Sequence, residues 1–149
     1  DSKWDWWTIG GRWEKQYRDL QGRTIAEFRA GLEESLVKVN DPANIAELQV
    51  VLDEIEHVRG LMREHKATWE DFDKAEAKKL DCAGYLPWWF PFNIVLERGD
   101  EYVWAEKGKM GWFGIHTDEH DDAAWISVLL ELTKDLDPAS RLYFVDFHI

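Results

Sequence analysis

From Thr24 to Leu80, apolar residues return every three or four positions, a rhythm that a helix can bury along one side and a strand cannot. Ile25, Phe28, Leu32, Leu36 and Val39 form the first run, and Thr24 stands where a helix cap is expected. Asn40-Asp41-Pro42 ends that run and starts another. A proline at the first helical position gives up an N–H that has no helical partner anyway, and Asp41 can cap the new helix. Ile45, Leu48, Leu52, Ile55, Met62, His65, Trp69 and Phe72 then keep close to a seven-residue rhythm towards Leu80. The two runs predict an antiparallel helical hairpin over 23–81. A continuous helix from Ala43 to Leu80 would be about 57 Å long, with Gly60 and His65-Lys66-Ala67-Thr68 as the places where it would break.

The flanking segments read differently. Trp4-Asp5-Trp6-Trp7-Thr8-Ile9 is aromatic and β-branched, which favours an extended chain, and Gly10-Gly11 marks a turn or a close backbone approach. Asn93-Ile94-Val95-Leu96-Glu97 and Glu101-Tyr102-Val103-Trp104-Ala105-Glu106 predict two strands joined through Arg98-Gly99-Asp100. Hairpin chemistry accounts for that tripeptide, and no adhesive role is assigned to it. A helix follows, capped by Asp118 or His120, with Ala124, Trp125, Val128, Leu129 and Leu132 on its apolar face and Asp137-Pro138 as its end. The last segment, 141–149, is apolar on both faces and reads as a central strand. The fold expected is a single α+β domain over 1–149, an antiparallel sheet with the 23–81 hairpin inserted in it. Its strand and helix order suits half of a ferredoxin-like unit, whose first strand would then lie upstream of Trp4.

Composition narrows the function classes. The 149 residues carry a net charge of −12, with acids and bases interleaved, which disfavours binding to a phosphate backbone. The interleaving also speaks against nucleic-acid mimicry, which needs acids gathered on one face. No apolar stretch approaches the ~18–20 residues of a membrane span, so no membrane partner is expected and a cytoplasmic protein is. The one cysteine, Cys82, excludes an internal disulfide and a cysteine-rich zinc site. Ten tryptophans are far above average usage. Large side chains filling a small core are the expected use for them, ahead of an aromatic binding surface.

Three segments are distinctive as a set: Trp4-Asp5-Trp6-Trp7-Thr8-Ile9-Gly10-Gly11-Arg12-Trp13, Gly108-Lys109-Met110-Gly111-Trp112-Phe113-Gly114 and Val145-Asp146-Phe147-His148-Ile149. They resemble a group of uncharacterised bacteriophage and actinobacterial proteins that share a WDWW-x-IGGRW motif, a G-x-MGWFG motif and a C-terminal VD-x-HI. The resemblance covers roughly the first 13 residues and the last 60. The middle segment varies in that group and often carries a cysteine-rich insert resembling a zinc site; here it is helical, so a metal role does not carry over. The resemblance implies a small phage-type accessory protein and supplies no activity.

Within the three motifs and the helix start, the polar and aromatic candidates for ligand or partner binding are Arg12, Trp112, Asp118, Asp146 and His148. Asp146 and His148 are two apart on a strand, so both can face one side, where an Asp–His pair could fix a tautomer for base catalysis. Arg12 beside them could grip a carboxylate or phosphate. The favoured reading is structural: Arg12 pairs with Asp146, and His148 bonds to the backbone or an indole. His116 and His120 are four apart, but the acid-rich segment between them suits a helix start better than a metal site. No nucleotide or metal motif is present, so no cofactor is expected. The expectation is a protein that binds a host or phage protein, acting as an inhibitor of a host process or defence system, with a homodimer through the long helix as a further option. The alternative is a small-ligand-binding protein or hydrolase with its site around Arg12, Asp146 and His148.

Overall fold

The computed structural model describes residues 6–18, 21–86, 93–110, 116–118 and 120–148. The chain is an α+β protein. It runs through β1 (Trp6–Ile9), a 3-10 turn over Gly11–Trp13, α1 (Glu14–Tyr17), α2 (Ile25–Asn40), α3 (Pro42–Arg63), α4 (Trp69–Ala77), β2 (Asn93–Arg98), β3 (Glu101–Glu106), β4 (Gly108–Met110), β5 (His116–Asp118), α5 (Asp122–Thr133) and β6 (Val145–His148).

The helix starts follow local chemistry. Thr24 and Glu27 form a reciprocal capping box at α2: the Glu27 N–H donates to Thr24 Oγ1 at 3.2 Å, and the Thr24 N–H donates to Glu27 Oε2 at 3.1 Å. Asp41 is the C-cap of α2 and the N-cap of α3; its Oδ1 accepts the Ala43 N–H at 2.9 Å, with Pro42 in the first turn. The helix from Ala43 does not run on to Leu80. It stops at Arg63, where His65 takes φ 58° and the N–H groups of His65 and Lys66 bond to the carbonyls of Met62 and Leu61 at 3.0 and 2.8 Å. This is a Schellman closure, with histidine in the left-handed position that glycine usually fills. Thr68 and Asp71 then cap α4. The break resets the apolar rhythm, and Trp69, placed on the buried face by that rhythm, is 72% exposed.

The main core lies where α2 crosses α5 beneath the β2–β3 hairpin. Leu32 of α2, Ile94 and Leu96 of β2, and Trp125, Ile126 and Leu129 of α5 form one buried cluster. Ile94 and Leu96 alternate with more exposed neighbours, the two-residue period of a strand with one buried face. Removing side chains of this size from water stabilises the fold by about 1.5–3 kcal/mol each. Within 23–81, α2 supplies part of the core, while α3 starts after Asp41 and packs on α4 around Ile55 and Ala75. Arg59 over the Phe72 ring, 5.5 Å from its centroid, and Lys78 Nζ 2.6 Å from Glu54 Oε1 add polar contacts across that second pair.

The helix expected to start at Asp118 or His120 is capped instead by Asp121, whose Oδ1 accepts the Ala124 N–H at 2.7 Å. Asp118 lies on β5, and His120 stacks on Trp125 with ring centroids 6.2 Å apart. The same helix ends at Thr133, short of Asp137-Pro138. Its closing carbonyls are taken by side chains: Arg29 Nη1 donates to Leu130 O at 2.5 Å and to Thr133 Oγ1 at 2.8 Å, and Arg98 Nη2 donates to Leu132 O at 2.8 Å.

The strands pair antiparallel as β1–β6, β2–β3 and β4–β5. Among the described residues these are three two-stranded ladders rather than one ferredoxin-like sheet, and the only ladder partner of β6 is β1. Gly99 takes φ 64° at the first loop position of the β2–β3 hairpin, the sign that a two-residue connection needs there.

Candidate functional site

The Gly10-Gly11-Arg12 sequence becomes intelligible once β1 and β6 are paired. Thr8 lies opposite Asp146, and beyond Ile9 the chain turns back through Gly10 at φ 75° and Gly11 at φ 53°. The Gly10 N–H donates to Phe144 O at 2.9 Å. A Cβ on Gly11 would lie 2.5 Å from the Asp146 Cβ and 2.9 Å from Thr8 Cγ2, so only glycine lets the backbone pass this close. The passage aims three donors of Arg12 at one carboxylate. The backbone N–H and Nε reach Asp146 Oδ2 at 3.0 and 2.8 Å, and Nη2 reaches Oδ1 at 2.6 Å.

The two side chains differ in exposure: that of Asp146 is 3% exposed and that of Arg12 63%. The guanidinium, followed by the backbone N–H of Arg12, holds the Asp146 carboxyl down at about 2, against the opposing effect of burial. The same pairing raises the pKa of Arg12. Both carboxylate oxygens accept from the arginine, and the pair closes the turn that follows β1.

The clasp is the outer end of a longer seam. The Gln21 amide binds Phe144 on both sides, accepting its N–H at 2.8 Å and donating to its carbonyl at 3.1 Å. Gly22 N–H to Leu142 O and Leu142 N–H to Arg23 O, each 2.9 Å, carry the pairing on. The Ile25 N–H to Ser140 O, 2.8 Å, leads into α2. The segment 140–146 is thereby fastened to residues 8–12 and 21–25.

Of the five candidates read from the sequence, Arg12 and Asp146 are brought together. His148 is on β6, opposite Trp6, and Asp118 is on the β4–β5 ladder, opposite Gly108. The side chains of His148 and Asp118, and all of Trp112, lie outside the described residues. His116 is on a strand and His120 precedes α5, so they do not share a helical face. No group of three metal-ligating side chains occurs among the described residues. Cys82 is buried, and burial pushes its thiol pKa up, away from the reactive thiolate.

A second feature was not anticipated. Where α2 hands over to α3, opposite the start of α5, lies an open groove of about 340 Å³. Val39, Ile45, Leu48 and Leu52 line its apolar side, and Gln49, Asp121 and Asp122 stand among its polar lining. Ile45 and Leu52 are 50% and 40% exposed, and Val50 nearby is 68% exposed. One sequence signal could have pointed to it. The apolar stripe Ile45, Leu48, Leu52 and Ile55 runs along one face of α3: Ile55 is buried near α4, while the first three lie on the groove.

No protein-family model, curated protein or solved structure matches this chain.

Proposed function

We propose that this protein acts by binding another protein through the helical side of the fold, with the groove between α3 and the start of α5 as the contact. The observation that carries the reading is the strip Ile45, Leu48 and Leu52, apolar side chains left in an open groove although they sit on a well-capped helix. Apolar area held in a concave surface is the usual anchor of a protein contact. We place it among small phage-type accessory proteins, on the resemblance read from its three sequence motifs, with a host or phage protein as target and inhibition of a host process or defence system as the outcome. The alternative, a ligand site or hydrolase at Arg12, Asp146 and His148, is less well supported: the Asp146 carboxylate is buried and takes three N–H donors from Arg12.

The test is affinity capture from a bacterial host lysate with the full chain, in parallel with the Ile45→Asp and Leu52→Asp variants. The reading expects a protein held by the wild type and released by both variants. Equal capture by all three would reject the groove as the contact.

A further inference from the structure

We infer that the groove receives a short basic amphipathic helix of a partner protein; this rests on the protein-binding reading above and names the kind of partner. Ile45, Leu48 and Leu52 stand at i, i+3 and i+7 on α3, a strip about 10 Å long at 1.5 Å per residue. A groove of about 340 Å³ along such a strip takes a few apolar side chains, as presented by two turns of a helix. The walls argue against an extended peptide. Apart from Gly84, the lining belongs to α2, α3, α5 and the α5 cap, and none of it to a strand. A partner strand would find no sheet edge there, so recognition must run through side chains.

Charge selects the sign of the partner. From Val39 to Val58 the chain has Asp41, Glu47, Asp53, Glu54 and Glu56 and neither lysine nor arginine. From His120 to Thr133 it has Asp121, Asp122 and Glu131, again with neither. These two stretches supply nearly all of the groove. The positive end of α5 does not offset them, because Asp121 already caps it. Lys107 is engaged with Asp122 at 2.7 Å, and neither lysine nor arginine is among the residues that line the groove. A phosphate or acidic peptide would meet repulsion, and a second copy of this chain would bring a further charge of −12. A helix with leucine-like anchors and flanking lysine or arginine meets complementary groups on both counts.

The probe is a peptide of about 14 residues with leucines at i, i+3, i+4 and i+7 and lysines beside them, compared with the same peptide carrying glutamate for lysine. Binding to the full chain is measured for the wild type, Leu52→Asp in the groove, and Val50→Asp on the same helix outside its lining. Both sites are exposed, and circular dichroism checks that each variant is folded. The lysine peptide is expected to bind wild type and Val50→Asp within about threefold of each other, and Leu52→Asp at least about tenfold more weakly. The glutamate peptide is expected not to bind. Leu52→Asp adds a negative charge, so unchanged or tighter binding by this variant would mean general attraction to an acidic protein and would overturn the inference. Equal binding of the glutamate peptide, or a wild-type dimer that Leu52→Asp dissolves, would overturn it too. If the capture experiment retains a protein that Leu52→Asp loses, and the lysine peptide does not displace it, the protein-binding reading stands and the basic-helix inference falls.

Discussion

Arg12 places three N–H donors on the single carboxylate of Asp146, 134 positions along the chain, and thereby ties the turn after β1 to β6. A charge-assisted, bidentate contact with a buried oxygen pair fixes register as well as adding energy. The titration of this pair gives the first prediction. The Asp146 carboxyl is held at about 2, below its ordinary 3.8, so the folded state favours the ionised form. Its stabilising contribution is complete above the ordinary value and is lost as pH falls from about 4 to about 2. Urea unfolding of wild type and Asp146→Asn across that range should show a stability gap at pH 6 that narrows towards pH 2. A gap independent of pH would mean that the charge of Asp146 is not what the clasp uses.

Glycines at different places in the fold should respond oppositely to alanine. Gly11→Ala forces a Cβ to within 2.5 Å of Asp146 at φ 53°, and should cost on the order of 2–3 kcal/mol. Gly31→Ala in α2, where nothing lies within 4 Å, should stabilise by roughly 0.5–1 kcal/mol. Denaturant midpoints of the two variants, read against wild type, decide both.

His65 closes α3 in a conformation that a Cβ resists. His65→Gly is expected to raise stability by roughly 0.5–1 kcal/mol, since glycine takes the left-handed position without that penalty. A loss of stability in thermal and urea unfolding would show that the imidazole makes a contact worth more than the strain.

Thr133 is fully buried; its hydroxyl donates to Leu129 O at 2.8 Å and accepts from Arg29 Nη1. Thr133→Val keeps the shape and leaves the guanidinium one acceptor short, so a cost of about 1–3 kcal/mol is expected by chemical denaturation. Trp125→Ala, which opens a cavity in the main core, should cost about 3–5 kcal/mol and erase much of the near-ultraviolet dichroism. A Trp125→Ala protein as stable as wild type would place the core elsewhere.

Much of the local structure was legible in the sequence. Thr24 and Asp41 cap the helices they were expected to cap, and Gly99-Asp100 turns the hairpin. Arg12 and Asp146 are bonded to each other, the pairing that the sequence suggested. The misplacement of Trp69 has a local origin: the apolar rhythm was continued across the His65-Lys66-Ala67-Thr68 break. His65 stops α3, so Trp69 starts a new helix with a new phase and ends exposed.

Sequence by itself determined the helices, their caps, the β2–β3 hairpin and the α+β class, because periodicity, capping and turn chemistry act within a few residues of one another. Tertiary structure alone decided that α2 packs on α5 while α3 leaves for α4, that β1 pairs with β6, and that Ile45 and Leu52 stay in an open groove although Ile55 is buried. Burial belongs to two surfaces that meet, and the second surface lies far along the chain: Arg29 reaches Leu130 across 101 positions. An apolar stripe shows that a helix has something to cover, and only the packed fold shows which part of the stripe was left over for a partner.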